Sequence, residues 1–106
     1  MEKEIFKDQE CYIAYKAFRK DMRNYQDNFT YILNKWYEVL DVDMSEESCS
    51  FGLNLFQTQE EAQHLMLEGI VYKCYAPIIN NKIKFLGNEN KFRCKNNCLF
   101  IWWFQI

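Results

Sequence analysis

Residues 49–77, CSFGLNLFQTQEEAQHLMLEGIVYKCYAP, decide the fold. They read as strand, capped helix, strand. Residues 51–56 alternate loosely and are rich in apolar side chains, as in a strand buried on at least one face. Thr58 then stands where an N-cap hydroxyl accepts from a free backbone N–H of the first turn. Glu61, three residues on, completes the pattern of a capping box. Glu60 and Glu61 also place negative charge at the positive end of the helix dipole. Ala62, Leu65 and Met66 recur at i, i+3 and i+4 and define one apolar face. Gly69 suits the left-handed position just past a helix end. The pattern predicts a helix over 59–68, about three turns. Ile70, Val71, Tyr72, Cys74 and Tyr75 are β-prone, and Pro77 ends their run because it lacks a ladder donor.

Outward from this unit, residues 1–10 are polar and read as a short lead-in. Residues 11–18, CYIAYKAF, predict a strand with Tyr15 and Ala17 on one face and Lys16 and Phe18 on the other. Ala14, Tyr15 and Phe18 also fit a helical stripe, which is the competing reading. Residues 19–28 are polar with scattered aromatics, as in a turn, a loop or a short helix. Two apolar runs, 29–33 and 36–40, are split by Asn34-Lys35, which predicts a hairpin or the lead into a strand. Residues 41–48, DVDMSEES, form an acidic loop.

Beyond Pro77, Asn80-Asn81 signals a tight turn. Residues 83–86 and 92–94 read as short strands, with turns at 87–90 and 95–97. Residues 98–104, CLFIWWF, are the most hydrophobic run and fit a central strand covered on both faces. The expected fold class is α+β: a mostly antiparallel sheet of about five to six strands, with the short capped helix at 59–68 and room for one or two others.

The 106 residues predict one domain, 1–106. Thirteen basic and 15 acidic residues give a net charge of −2, so no basic excess argues for direct binding of nucleic acid. Nine Phe, seven Tyr and three Trp supply either a ring-rich core or an aromatic partner surface. The opening residues Met1-Glu2-Lys3-Glu4 are charged, with no apolar run behind them as in a secretory leader. No stretch reaches the roughly 18 apolar residues of a membrane span. With five cysteines, an odd number, the expectation is a cytoplasmic protein with free thiols.

Four features invite a chemical reading. Cys94 and Cys98 have a spacing that zinc ligands use across a turn, but Cys49, Cys74 and His64 are the only further candidates and they stand singly. Two free cysteines in a hairpin is the plainer reading, and no metal is expected. His64, the only histidine, falls at the edge of the predicted helix face, with no Ser or Asp in a triad arrangement, and is expected at the surface. Asp41, Asp43, Glu46 and Glu47 lack the glycine and the terminal glutamate of a calcium loop; they read as a solvated loop that can meet a basic protein surface. The aromatic terminus carries no interleaved Lys or Arg, so it does not read as a base-stacking platform.

The order Tyr15-Lys16-Ala17-Phe18, then residues 51–56, then Thr58 and Glu61-Ala62, resembles a degenerate form of the ADP-ribosyltransferase-like folds. Small phage and mobile-element modules show a similar order, with a Cys where Cys49 stands and a strand where residues 71–74 stand. The likeness spans about residues 12–77. It implies that Tyr15 and Lys16 would lie near the nicotinamide of NAD. Ala17 departs from the family's Gly, and Lys16 from its Arg or His.

No catalytic constellation is complete, and no cofactor is expected. The leading expectation is a small non-enzymatic protein-binding module. In its narrower form it is a phage- or mobile-element-encoded inhibitor of a host defence system, anti-CRISPR-like. Its partner would be a host protein, such as a nucleic-acid-binding effector whose basic groove accepts the acidic loop. The alternatives are an NAD-dependent transferase using Tyr15 and Lys16, and a zinc or thiol module at Cys94 and Cys98.

Overall fold

The computed structural model describes residues 2–21, 30–40, 42–45, 53–65, 67–86, 91–94 and 96–104, the last stretch as backbone. Eight strands and one helix run in the order β1 (Lys3–Phe6), β2 (Gln9–Phe18), β3 (Trp36–Glu38), β4 (Leu53–Phe56), α1 (Gln59–Leu65), β5 (Ile70–Pro77), β6 (Ile83–Leu86), β7 (Lys91–Cys94) and β8 (Asn96–Phe104). The strands form one sheet ordered β3-β8-β5-β2-β4-β7-β6, with β1 also paired to β2. Every pairing is antiparallel. The expected α+β class, a mostly antiparallel sheet with a capped helix, is what the chain adopts.

A single residue forces the sheet to curl. β7 ends at Cys94 and β8 begins at Asn96, so these two Cα atoms lie no more than about 7 Å apart. Along the sheet, however, β7 and β8 are separated by β4, β2 and β5. In a flat sheet four spacings would hold them about 19 Å apart. The two arms must therefore roll toward each other. Inside the roll sit Ala14, Phe18, Tyr31, Leu53, Leu55, Tyr72, Cys74, Ala76, Phe92 and Cys94. Edge-on contacts of Tyr12 with Phe85 at 5.7 Å and with Phe92 at 6.0 Å join the β6–β7 arm to the centre.

β2 is the central strand, and its alternation holds as expected. Ala14 and Phe18 enter the inner cluster, while Ala17 and Tyr15 belong to the outer face. On that outer face the strand–helix–strand unit closes. β4 and β5 both run antiparallel to β2 and flank it, so they are parallel to each other with β2 between, and α1 crosses over β2. The helix touches down through Ala62, which packs with Ala17 and Val71 against Phe56 and Tyr15. The Thr58 cap forms as read: Glu61 N–H donates to Thr58 Oγ1 at 3.2 Å.

The structure corrects several expectations. The helix ends at Leu65 rather than 68. Leu65 is exposed and Leu67 more so, because only one turn of α1 reaches the sheet; the buried pair is Ala62 and Gln63. Gln63 closes the end of the helix, its amide donating to the carbonyls of Leu67 at 3.0 Å and Gly69 at 3.3 Å. Residues 3–6 form a strand rather than a polar lead-in, through a two-residue turn at Lys7-Asp8, both at positive φ, the backbone of a type I′ hairpin. Phe6 then stacks on Tyr75 at 4.3 Å. Of the two readings of the runs around Asn34, the lead into a strand is the one adopted: among the described residues β3 follows it and pairs with β8 rather than with residues 30–33, and Tyr31 packs on Phe18 at 5.0 Å. β7 and β8 do not form the expected hairpin either, since β8 lies between β3 and β5. That position makes the aromatic terminus an interior strand, as expected, while the expected covering of both its faces lies outside the described side chains. Met66 and the turn at 87–90 lie outside the described residues.

These contacts rank the helix residues. Ala62→Leu is expected to destabilise by about 1–3 kcal/mol through overpacking, and Thr58→Ala by about 1 kcal/mol through loss of the cap. Leu65→Ser should stay within about 0.5 kcal/mol of the parent. Urea unfolding midpoints check the order, and a Leu65→Ser loss as large as that of Ala62→Leu contradicts it.

Candidate functional site

The edge of β2 changes partner partway along. β1 pairs with it up to Lys3↔Tyr12, and β4 takes over at a single pair, Tyr15↔Phe56. Between the two, Ile13 N–H donates to Glu2 O at 3.0 Å, which draws the start of the chain against β2. The β4–α1 connection arrives from the other side. The result is a depression of about 280 Å³ lined by Glu2, Ile13, Tyr15, Gln57, Thr58, Gln59 and Glu60. Its position on the outer face follows from Tyr15, which touches both outer clusters.

The electrostatics of this depression are negative. The Tyr15 hydroxyl is held above its ordinary value of 10.0, first by burial, then by Glu2, with Glu60 adding to the shift and Lys73 opposing it. Lys73 is the direct cross-strand neighbour of Tyr15. It also faces Glu4 at 3.8 Å and lies 5.2 Å from the centre of the Tyr75 ring.

Lys16, next in sequence, goes the other way. It is buried, its ammonium donates to the carbonyl of Asn54 at 2.7 Å, and it sits about 6 Å from the Phe18 and Tyr31 rings. This carbonyl belongs to the part of β4 beyond its single pair with β2, so the lysine supplies a donor where the ladder stops. Strand alternation thus places Tyr15 at the depression and Lys16 inside the roll, and the two do not share a site.

A second buried cation fixes the acidic segment. Arg93 is wholly buried. Its Nε donates to Asn54 Oδ1 at 3.1 Å, and its Nη1 donates to the carbonyl of Asp43 and to that of Ser45 at 3.4 Å. Asn54 therefore receives Lys16 on its backbone oxygen and Arg93 on its side-chain oxygen. Of the four carboxylates expected to meet a partner, only Asp43 lies among the described residues; Asp41, Glu46 and Glu47 lie outside them. The Asp43 carboxylate accepts from Ser45 N–H at 2.9 Å, a local turn that shapes its own loop. On this segment Leu40 is 94% exposed and Met44 45% exposed.

The thiols are dispersed. Cys94 is buried, its Sγ directed to the carbonyl of Leu53 at 3.8 Å, and Cys74 lies in the same inner cluster. Cys11 is buried on the opposite face, and His64 is exposed on α1, at the surface as expected. No group of three or more metal-binding side chains gathers among the described residues. Cys49 and the Cys98 side chain lie outside them. No helix among the described residues is long and apolar enough to cross a membrane.

Sequence reasoning named Tyr15, Lys16 and Asp43 but missed Glu2, Gln57, Gln59 and Glu60 as neighbours of Tyr15, and missed Arg93 entirely. No local signal marks Arg93, since alternation with Phe92 and Cys94 reads it as the solvent-facing residue of a short strand. No protein-family model, curated protein or solved structure matches this chain.

Two predictions follow from these environments. Burial raises Tyr72 as it does Tyr15, so both contribute stability that is whole below pH 10 and is lost as pH rises through their raised values. The urea midpoint of the parent should fall above pH 10 more steeply than that of a Tyr15→Phe/Tyr72→Phe variant; parallel curves would refute the assignment. Replacing Arg93 by Met should cost about 2–4 kcal/mol and open the 42–45 segment to proteases. Arg93→Lys should not restore it, because an ammonium lacks the planar fork that reaches three acceptors. Limited proteolysis with denaturant unfolding reads both effects.

Proposed function

We propose that this chain is a small non-enzymatic protein-binding module that docks through the segment at residues 40–45. The observation that carries this reading is the pairing of an exposed apolar tip with a buried anchor. One exposed leucine would need no explanation. Here Met44 stands four residues after Leu40, and the backbone on either side of Met44 is tied down by a wholly buried guanidinium. Burying a cation is unfavourable unless its hydrogen bonds are met. A loop held this way loses little further freedom on binding, which favours association. The composition agrees: the chain is slightly acidic, and residues 41–48 carry four carboxylates and no Lys or Arg.

The partner of this reading is a host protein with a basic surface, such as a nucleic-acid-binding effector. Inhibition of a host defence system, in the manner of an anti-CRISPR protein of a phage or mobile element, is its narrower form. The NAD-dependent transferase implied by the family resemblance would need Tyr15 and Lys16 together, and strand alternation separates them. Its cofactor would also need more room than about 280 Å³, which is below the usual range of about 300–1,000 Å³ for small-molecule sites.

Affinity capture from host cells with the parent chain, a Leu40→Asp/Met44→Asp variant and Arg93→Met tests the proposal. A partner retained by the parent, lost by both variants and released by competing nucleic acid is the expected result. A partner retained equally by all three would sink it.

A further inference from the structure

We infer that the depression beside Tyr15 is a receptor for a guanidinium group, the side chain of an arginine presented by the partner protein. This deepens the protein-binding reading and rests on it, but it draws on a different part of the molecule.

The walls are of three kinds. Tyr15 supplies an aromatic ring, Glu2 and Glu60 supply carboxylates, and Gln57, Gln59 and Thr58 supply polar groups around an apolar floor at Ile13. Guanidinium is the organic cation that matches all three. Its flat face stacks on an aromatic ring, and its N–H fork meets carboxylate oxygens and amide carbonyls in the plane. An ammonium matches the charge but not the planar face. At about 280 Å³ the space suits one long side chain rather than a nucleotide.

Both residues are held beside the depression at the backbone. The Glu2 backbone is fixed by the hydrogen bond from Ile13 N–H to its carbonyl. Glu60 lies in the first turn of α1, whose start is set by Thr58. Lys73, beside Tyr15, is drawn toward Glu4 and the Tyr75 ring. Glu2 and, more weakly, Glu60 act to raise the Tyr15 hydroxyl, with Lys73 opposing them.

The test is an NMR titration of the labelled full chain with N-acetyl-argininamide, set beside N-acetyl-lysinamide, N-acetyl-glutaminamide and butylguanidinium. Saturable shifts confined to the amides of Ile13, Tyr15 and residues 57–60 are expected with the arginine probe. Binding should weaken at least about tenfold in a Glu2→Gln/Glu60→Gln variant, the scale of one lost charge-assisted contact. These residues are at the surface, so the variant should fold, and its spectrum reports that directly. Equal shifts with the neutral glutamine probe, no saturation with arginine, or unchanged binding in the double variant would overturn the inference. Binding of butylguanidinium without the argininamide would also overturn it, since the pocket would then take a free cation and not a protein side chain. The Leu40→Asp/Met44→Asp variant should titrate like the parent, which separates failure of this pocket from failure of the docking segment.

Discussion

The connection between β7 and β8 constrains everything else. One residue joins two strands that a flat sheet would hold about 19 Å apart. Curling is therefore imposed by the chain path. It creates an inner space that side chains must fill, and the inner cluster fills it with rings on several strands. The high aromatic content thus has a geometric use: a rolled sheet with one small helix has few other elements with which to cover its faces.

The roll also explains two of the three buried cations among the described residues, Lys16 and Arg93. β4 meets β2 at one pair only, because the sheet bends away there toward the β6–β7 arm. Beyond that pair the backbone of β4 needs donors from elsewhere. Lys16 provides one from β2 at the Asn54 carbonyl, while Arg93, from β7, donates to the Asn54 side-chain oxygen and extends from there to the carbonyls of residues 43 and 45. Asn54 is the node at which the bend of the sheet and the shape of the 42–45 segment are coupled.

What could be read from the sequence was what depends on near neighbours. The Thr58 cap, the Asn80-Asn81 turn, the alternation of β2 and the stop at Pro77 are set within a few residues, and each forms. The extent of α1 was not legible, because Leu65 continues the helical periodicity of Ala62 but has no sheet beneath it. The β1–β2 hairpin was hidden because Lys7-Asp8 takes positive φ without the glycine or asparagine that usually marks it. Lys16 and Arg93 look like surface residues to any local rule. Their burial depends on Asn54, 38 and 39 positions away. The depression was illegible for the same reason, since it draws on residues 2, 13, 15 and 57–60.

The same bend accounts for where the two candidate surfaces fall. A strand edge that changes partner leaves an interval that neither partner covers, and on β2 that interval lies between Tyr12, the last residue β1 reaches, and Tyr15, the first that β4 reaches. Tyr15 must therefore stand at the rim of a gap, whatever its chemistry. On the far side of β4, the fork of Arg93 converts the bend into a fixed loop carrying Leu40 and Met44 outward. Both surfaces are by-products of closing the roll with few residues. Polar and acidic side chains around the first gap, and apolar side chains on the second loop, are additions that closure does not require. Those additions are what the proposed binding role rests on, because a sheet that only had to fold could have filled the gap and shortened the loop.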